Sequence, residues 1–317
     1  MLAFFGAFGV LSNIPANAAK NDQSTFRFAD ANGTGLFLSE GEHPVLVYNY
    51  GVITSAALTN AHHSCYVHPL YGLGGEILTG DFPKDHPYHR GLYWAWPHIQ
   101  IAGKEYDLWS LRGIEQRFQR WLARETRSEL ATLGVENGWF VGEKKVMREE
   151  VWLRVYAATP ESRSIDVELT WTPLDRPITL FGAPEKSYGG LTLRFAERSK
   201  TVITVPTGRT SDDLLMTKLP WADFAGNFRA PEALSGAAIF VHPDHPAFPP
   251  EWMTRHYGVL AVGYPGVTPK IFAPHQSLTC RYRIWVHRGN PEVVAIQRAS
   301  DSFSAESRGA NHETEPK

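Results

Sequence analysis

Cysteine is scarce. Only Cys65 and Cys280 occur in 317 residues, so at most one disulfide can form and a disulfide-stapled scaffold is excluded. Their spacing leaves pairing open; two separate buried thiols are expected. No charge of one sign prevails either: 31 Lys and Arg stand against 33 Asp and Glu, for a formal net charge of −2. Without a basic excess or stripe, nucleic acid is excluded as an expected partner. Hydrophobic runs stay well below the roughly 18 consecutive apolar residues of a membrane helix, so no membrane span is expected. Internal repeats, heptads and a domain-dividing linker are missing. So are HExxH, paired CxxC, GxGxxG after a strand, GxxxxGK[ST] and GxSxG.

What is present is strand. Apolar residues make up 43% of the chain and aromatics 12%, with 10 Trp and 12 Tyr, enough for a sizeable core and suited to half-buried sheets. Val151, Leu153 and Val155 alternate with Trp152, Arg154 and Tyr156. Ile165, Val167, Leu169 and Trp171 alternate with Asp166, Glu168 and Thr170. Leu278, Cys280, Tyr282, Ile284 and Val286 alternate with Thr279, Arg281, Arg283, Trp285 and His287. A period of two over such lengths means strands with one buried face. Shorter candidates are Thr25–Ala29, Leu36–Ser39, Val45–Tyr48, Leu92–Ile101, Ile178–Phe181, Leu191–Phe195, Ala237–Val241 and Val259–Val262. One helix is expected at Pro291–Ser302, with Asn290 as N-cap and Pro291 at the first helical position. The fold class is therefore all-β: a large antiparallel β-sandwich with few helices, formed as a single domain over residues 24–304. Met1–Ala19 is short, apolar and ends in small residues around Ala16-Asn17-Ala18, as a secretory signal does, though without a basic start. Export to a periplasmic or secreted location is expected, with a disordered tail at 305–317.

Three polar segments can carry chemistry. The densest runs from Tyr66 to Trp96 and holds His68, Asp85, His86, His89 and Arg90 on a Gly/Pro-rich connection feeding an aromatic strand. Imidazole exchanges protons near neutral pH, arginine fixes an oxyanion or carboxylate, and Trp94 offers a face for a sugar ring. The structural alternative is turn chemistry at Asp85-His86-Pro87 and a histidine that merely satisfies backbone groups. The second segment, Glu185–Arg194, offers Glu185 and Tyr188 as acid/base groups and Lys186 and Arg194 as anion holders. The third, His242–Gly258, is a proline-stiffened loop with His242 and Arg255, and Arg255 and Tyr257 are expected to open a strand. His86 and His89 lead the catalytic candidates with Glu185 and Tyr188; His68, Arg90, Trp94, Lys186, Arg194, His242 and Arg255 are the substrate-binding candidates. His68, His89, Arg90 and Lys186 are expected to converge on one pocket. No metal ligand set is legible and no cofactor is expected, although a divalent metal stays open through His62-His63 and His86-x-x-His89.

The element Asp85-His86-Pro87-Tyr88-His89-Arg90-Gly91 resembles the uncharacterised PmoA-like family, whose members are often labelled methane oxygenase PmoA. The likeness continues through Lys186-Ser-Tyr-Gly-Gly, Trp221–Gly226, His242–Gly258 and Arg281–Gly289. Tyr88 departs from it, standing where the family pattern usually has a second histidine. The resemblance implies a galactose-mutarotase-like supersandwich with a site on its concave sheet. It also implies sugar chemistry by proton transfer, of epimerase, mutarotase, lyase or dehydratase type, on a sugar or uronic-acid-containing oligosaccharide. A non-catalytic glycan-binding module and a metal-dependent oxidoreductase are the alternatives. The oxygenase label itself conflicts with the lack of a membrane-length apolar segment.

Overall fold

A computed structural model describes residues 25–55, 58–229 and 233–306, and the side chains of all of these except 58–61. The expected leader Met1–Ala19 and residues 307–317 of the expected tail lie outside the described residues, whereas Ala305 still belongs to the helix and Glu306 accepts from Arg283 rather than opening a disordered tail. Period-two alternation becomes sheet as expected: Val151, Leu153 and Val155 pair across the strands with Leu169, Val167 and Ile165, and all six are buried.

Two nine-stranded antiparallel sheets dominate. The first orders Phe26–Ala31, Gly35–Glu40, His43–Asn49, Tyr66–Leu70, Leu92–Ala95, Gly190–Arg194, Val259–Gly263, Glu251–Arg255 and Leu215–Lys218. The second orders Glu115–Thr126, Leu130–Val141, Lys144–Tyr156, Ser162–Pro173, Leu278–Arg288, Leu234–Val241, Trp221–Asn227, Ser199–Val205 and Gly208–Thr210. A four-stranded sheet of Lys270–Phe272, Ile178–Phe181, His98–Ile101 and Lys104–Tyr106 and a pair, Ile53–Ser55 with Leu58–His63, complete it. The large sheets face each other through one apolar core. Trp96 meets Trp139 and Trp171 at ring distances of 5.5 and 5.0 Å, and Phe195 stacks on Phe224 at 4.1 Å. This is the expected all-β sandwich.

Inside that core lies an acid. Glu149 is fully buried, and its carboxylate accepts from Gln116 Nε2, Asn137 Nδ2, Trp139 Nε1 and Trp171 Nε1 at 2.7 to 3.1 Å. Those donors replace water around a charge that would otherwise be too costly to bury.

Several elements depart from expectation. Glu115–Thr126 and Leu130–Val141 were not legible as strands. Bulges between Phe118 and Arg120 and between Trp121 and Ala123 break the period of two in their pairing. Leu92–Ile101 is two strands in two sheets, divided at Trp96-Pro97, where proline lacks a donor. Glu251–Arg255 is a strand where a loop was expected; Arg255 ends it, and Tyr257 lies in the turn before Val259–Gly263. The helix spans Val293–Ala305, with Glu292 rather than Asn290 at its N-cap and no side-chain capping bond. Burial drives it instead: Ile296 and Phe303 pack on Trp221, Ala238 and Phe240, the outer face of the second sheet. Both cysteines are free and buried. No helix among the described residues is long and apolar enough to cross a membrane.

Candidate functional site

Two neighbouring strands of the first sheet set the floor. Tyr93 pairs with Thr192, and Arg194 follows two residues later on the same face. Leu92, Trp94, Leu191 and Leu193 are buried on one face, and alternation puts Tyr93, Thr192 and Arg194 on the other, where Tyr93 packs against Trp109 and stays continuous with the apolar cluster. Tyr93, Thr192 and Arg194 are 0%, 0% and 6% exposed. Even so, the hydroxyls of Tyr93 and Thr192 and the Nε and Nη1 of Arg194 have no hydrogen-bond partner among the described residues.

The connection from Gly80 to Gly91 folds over this floor because its base is tied to it. Gly80 N–H donates to the Arg194 carbonyl, Arg194 N–H to that of Gly91, and Gly91 N–H to that of Gly80. Gly91 has φ +44°, and a Cβ there would sit 2.0 Å from the Val67 carbonyl oxygen; only glycine fits. Two turns, closed by His86 N–H on the Pro83 carbonyl and His89 N–H on that of His86, bring the histidines one above the other.

A polar chain then runs upward from the floor. Arg194 Nη2 donates to both Asp85 oxygens at 2.8 and 3.0 Å, and Asp85 Oδ2 lies 3.0 Å from His86 Nδ1. The His86 ring is stacked between Tyr257 at 5.1 Å and His89 at 4.7 Å. The Arg194 guanidinium lies 4.9 Å from the centre of the Tyr257 ring. Trp109 meets His89 edge-on at 5.5 Å and Tyr188 at 4.5 Å. Its loop is held by Asp107, which accepts from Ser110 and Arg112.

Electrostatics separates the two imidazoles. Burial, then the nearby His86 and Arg194, pushes His89 down to about 2, so its ring stays neutral at working pH. Burial works against the Asp85 carboxylate, yet hydrogen bonds from His86 and Arg194 hold it at about 2. Burial first, and then neighbouring acids and phenols, raises Tyr88 and Tyr188; burial likewise raises Tyr257 against the pull of Arg194 and Arg255.

Of the expected residues, His86, His89, Tyr188 and Arg194 come together, with Arg255 at the edge beside Tyr257. The four expected to converge on one pocket do not. Arg90 is wholly buried; it donates to the carbonyls of Tyr88, Leu108 and Trp109 and to Gln116 Oε1, with its guanidinium 4.7 Å from the centre of the Tyr93 ring. It braces the loops and, through Gln116, reaches Glu149. His68 bonds Thr79 Oγ1 at 3.0 Å, beside a second cluster in which Asp81 accepts from Tyr66 and pairs with His63 at 2.8 Å. Glu185 and Lys186 are exposed at a turn, and no hydrogen bond or ion pair joins their side chains to the site. Trp94 is fully buried and offers no face to a ligand. His242 lies across the sandwich, against Phe303 of the helix and Arg281. Site residues that the sequence did not single out are Tyr93, Trp109, Thr192 and Tyr257. Alternation within Leu191–Phe195 could have marked Thr192 with Arg194; nothing in the sequence marks Trp109. Among the described residues no three His, Cys, Asp or Glu are grouped to hold a metal ion. A surface cavity of about 440 Å³ lined by Gly74, Glu76, Arg229, Ser235 and Arg288 shares no residue with this site.

Fold and site define an antiparallel β-sandwich with a polar, ring-covered patch on one outer face. The chain belongs to the family of unknown function DUF6807, whose model matches residues 36–301. That finding overturns the resemblance to a PmoA-labelled family; the methane oxygenase label has no support. No curated protein matches. Among solved structures, the chain is similar to a GH36 α-galactosidase from Geobacillus stearothermophilus in complex with raffinose, at 10% identity and TM-score 0.38. The match covers 84% of this chain and 41% of the other, so the chain spans less than half of that protein. It is also similar to galactose 1-epimerase from Lactobacillus acidophilus, at 9% identity and TM-score 0.34, over 85% of this chain and all of the other. An aldose epimerase homologue from C. elegans matches at 8% identity and TM-score 0.36, over 84% of this chain and all of that one. At values this low the likeness says nothing about activity.

Proposed function

We propose that the protein is a carbohydrate-active enzyme that moves a proton on a bound sugar, with His86 as the acid/base group. One observation carries this reading: the chain from Arg194 through Asp85 to His86. Arg194 fixes the carboxylate; the carboxylate accepts from His86 Nδ1, which leaves Nε2 as the nitrogen that takes and returns a proton. The His86 side chain is 32% exposed, within reach of a ligand, whereas His89 is 2% exposed. His89 and Tyr257 hold the His86 ring by stacking. Tyr188, kept protonated by burial, supplies a hydroxyl and a ring face. Such a site fits epimerisation or mutarotation, and elimination next to a carbonyl, without calling on a metal.

The test is the purified protein against a panel of aldoses and uronate-containing oligosaccharides, followed by NMR, with and without chelator. Turnover is expected in both conditions, and His86→Asn should lower it by about a hundredfold or more with an unchanged melting temperature. Full turnover by the variant would remove His86 from its role. Binding without turnover would select the non-catalytic glycan-binding module instead, since the rings of Tyr88, Tyr188 and Tyr257 serve either.

A further inference from the structure

Three arginines, Arg90, Arg194 and Arg198, lie at and around the floor of the site, and of these Arg194 is the one in a direct ion pair among the described residues. Arg194 has one carboxylate partner, Asp85, which it shares with His86. Arg90 and Arg198 flank it with no carboxylate in ion-pair range among the described residues. Arg90 donates to carbonyls and Gln116 and feels Asp81 at longer range, with its Nε unpartnered among the described residues, and Arg198 donates to the carbonyls of Ala196 and His256 and to Thr201. The charge of Arg194 reaches both Arg198 and Tyr93, so these groups share one field.

The same floor holds the unpartnered donors. Nε and Nη1 of Arg194 can only donate, and the buried hydroxyls of Tyr93 and Thr192 have protons to give. Buried donors of this kind call for an acceptor-rich group. A neutral sugar hydroxyl brings one oxygen and no charge. A carboxylate brings two acceptor oxygens and a negative charge, and arginine is the side chain best shaped to meet it. Resting on the carbohydrate reading above, we infer that the sugar bound here is an acidic one, a uronate, whose carboxylate is held by Arg194 with the Tyr93 and Thr192 hydroxyls. Asp85 keeps Nη2, and the remaining edges of the guanidinium take the ligand. The partly exposed rings of Tyr88, Tyr188 and Tyr257 border the approach.

Calorimetric titration with D-glucuronate and D-galacturonate, alongside D-glucose and D-galactose, tests this. The uronates are expected to bind at least about tenfold tighter than their neutral counterparts, with an advantage that shrinks as salt rises. Arg194→Gln should erase the advantage. Because that variant removes a buried anchor of the loop, Tyr93→Phe and Thr192→Val provide the second measure: each should fold normally and shrink the ratio of uronate to neutral-sugar affinity several-fold. Equal affinity for acidic and neutral sugars would overturn the acidic class and leave the carbohydrate reading standing. An advantage undiminished in both hydroxyl variants would place the carboxylate elsewhere and overturn the inference. No binding by any of the four sugars would overturn the carbohydrate reading and this inference with it.

Discussion

The outer faces of the two sheets carry the same chemical pair in opposite settings. Over the first sheet, Asp85 and His86 meet at 3.0 Å with side chains 44% and 32% exposed. On the second sheet, Asp223 and His287 meet at 2.8 Å with side chains 0% and 1% exposed. The first pair rides on a loop among aromatic rings and unpartnered donors. The second is sealed in the sheet from which the apolar helix cover rises. An aspartate–histidine pair is therefore no sign of a site by itself. Exposure of the imidazole, and what its far nitrogen faces, decide whether the pair can act on a ligand or only on the fold.

The widest difference between the faces should show in pH. Burial holds His63 and His245 down at about 4 and His89 at about 2, against roughly 6.5 in an unfolded chain. Their folded pKa values are depressed, so below about pH 6.5 the unfolded chain binds more protons and stability falls as pH drops. Each such histidine is worth on the order of 2 kcal/mol at pH 5. His287 has the opposite sign. Burial opposes its charge, but Asp223 prevails and raises it, so its contribution is complete below the unfolded value and is lost as pH rises through the folded one. Denaturant melts at pH 7, 6 and 5 should show steep acid loss, and His287→Gln should flatten only the alkaline side. Equal stability at pH 7 and 5 would show that these three imidazoles are not held neutral.

Substitution should divide the pairs next. Asp223→Asn removes the carboxylate that holds the buried His287 Nε2 and is expected to cost about 3–5 kcal/mol, read from denaturant midpoints. His86→Asn breaks a half-exposed pair, for which about 0–1 kcal/mol is usual. Similar losses in both variants would dissolve the contrast.

How much of this could be read from sequence follows from how local each signal is. Alternation of Val151, Leu153 and Val155 needs only its own strand to be seen, and those strands were legible. The strand Glu115–Thr126 was hidden because its bulges shift the pattern midway. Polar residues at 85–90 marked a candidate cluster, and His86, His89 and Arg194 are brought together there. Direction was harder to read. Trp94 and Tyr93 are adjacent in sequence, yet one enters the core and the other the site floor, which depends on pairing with Thr192 and Leu191. Glu149 gave no signal at all, because its donors sit on separate strands and meet it only through the register of the assembled sheet. Nor could sequence tell Asp85–His86 from Asp223–His287, since burial is a property of the assembled sheets.

The finest comparison lies within one ring stack. His86 and His89 are 4.7 Å apart and nearly parallel, with an interplanar angle of 9°, yet only His86 has a carboxylate partner and substantial exposure. His89 has an unpartnered Nδ1 and a ring pinned by Trp109, Tyr88 and Tyr93. Held down at about 2, it cannot take a proton near neutral pH; its work is to carry the His86 ring. His89→Asn should then cost about 1–3 kcal/mol through lost packing and an altered buried polar group. Turnover per folded molecule should fall less than about tenfold, below the usual effect of losing an acid/base group. Melting temperature and rate measured on one preparation separate these outcomes. A stable variant with a hundredfold loss of turnover would move the proton-carrying role from His86 to His89, and the exposure rule drawn from the two pairs would fail at the site itself.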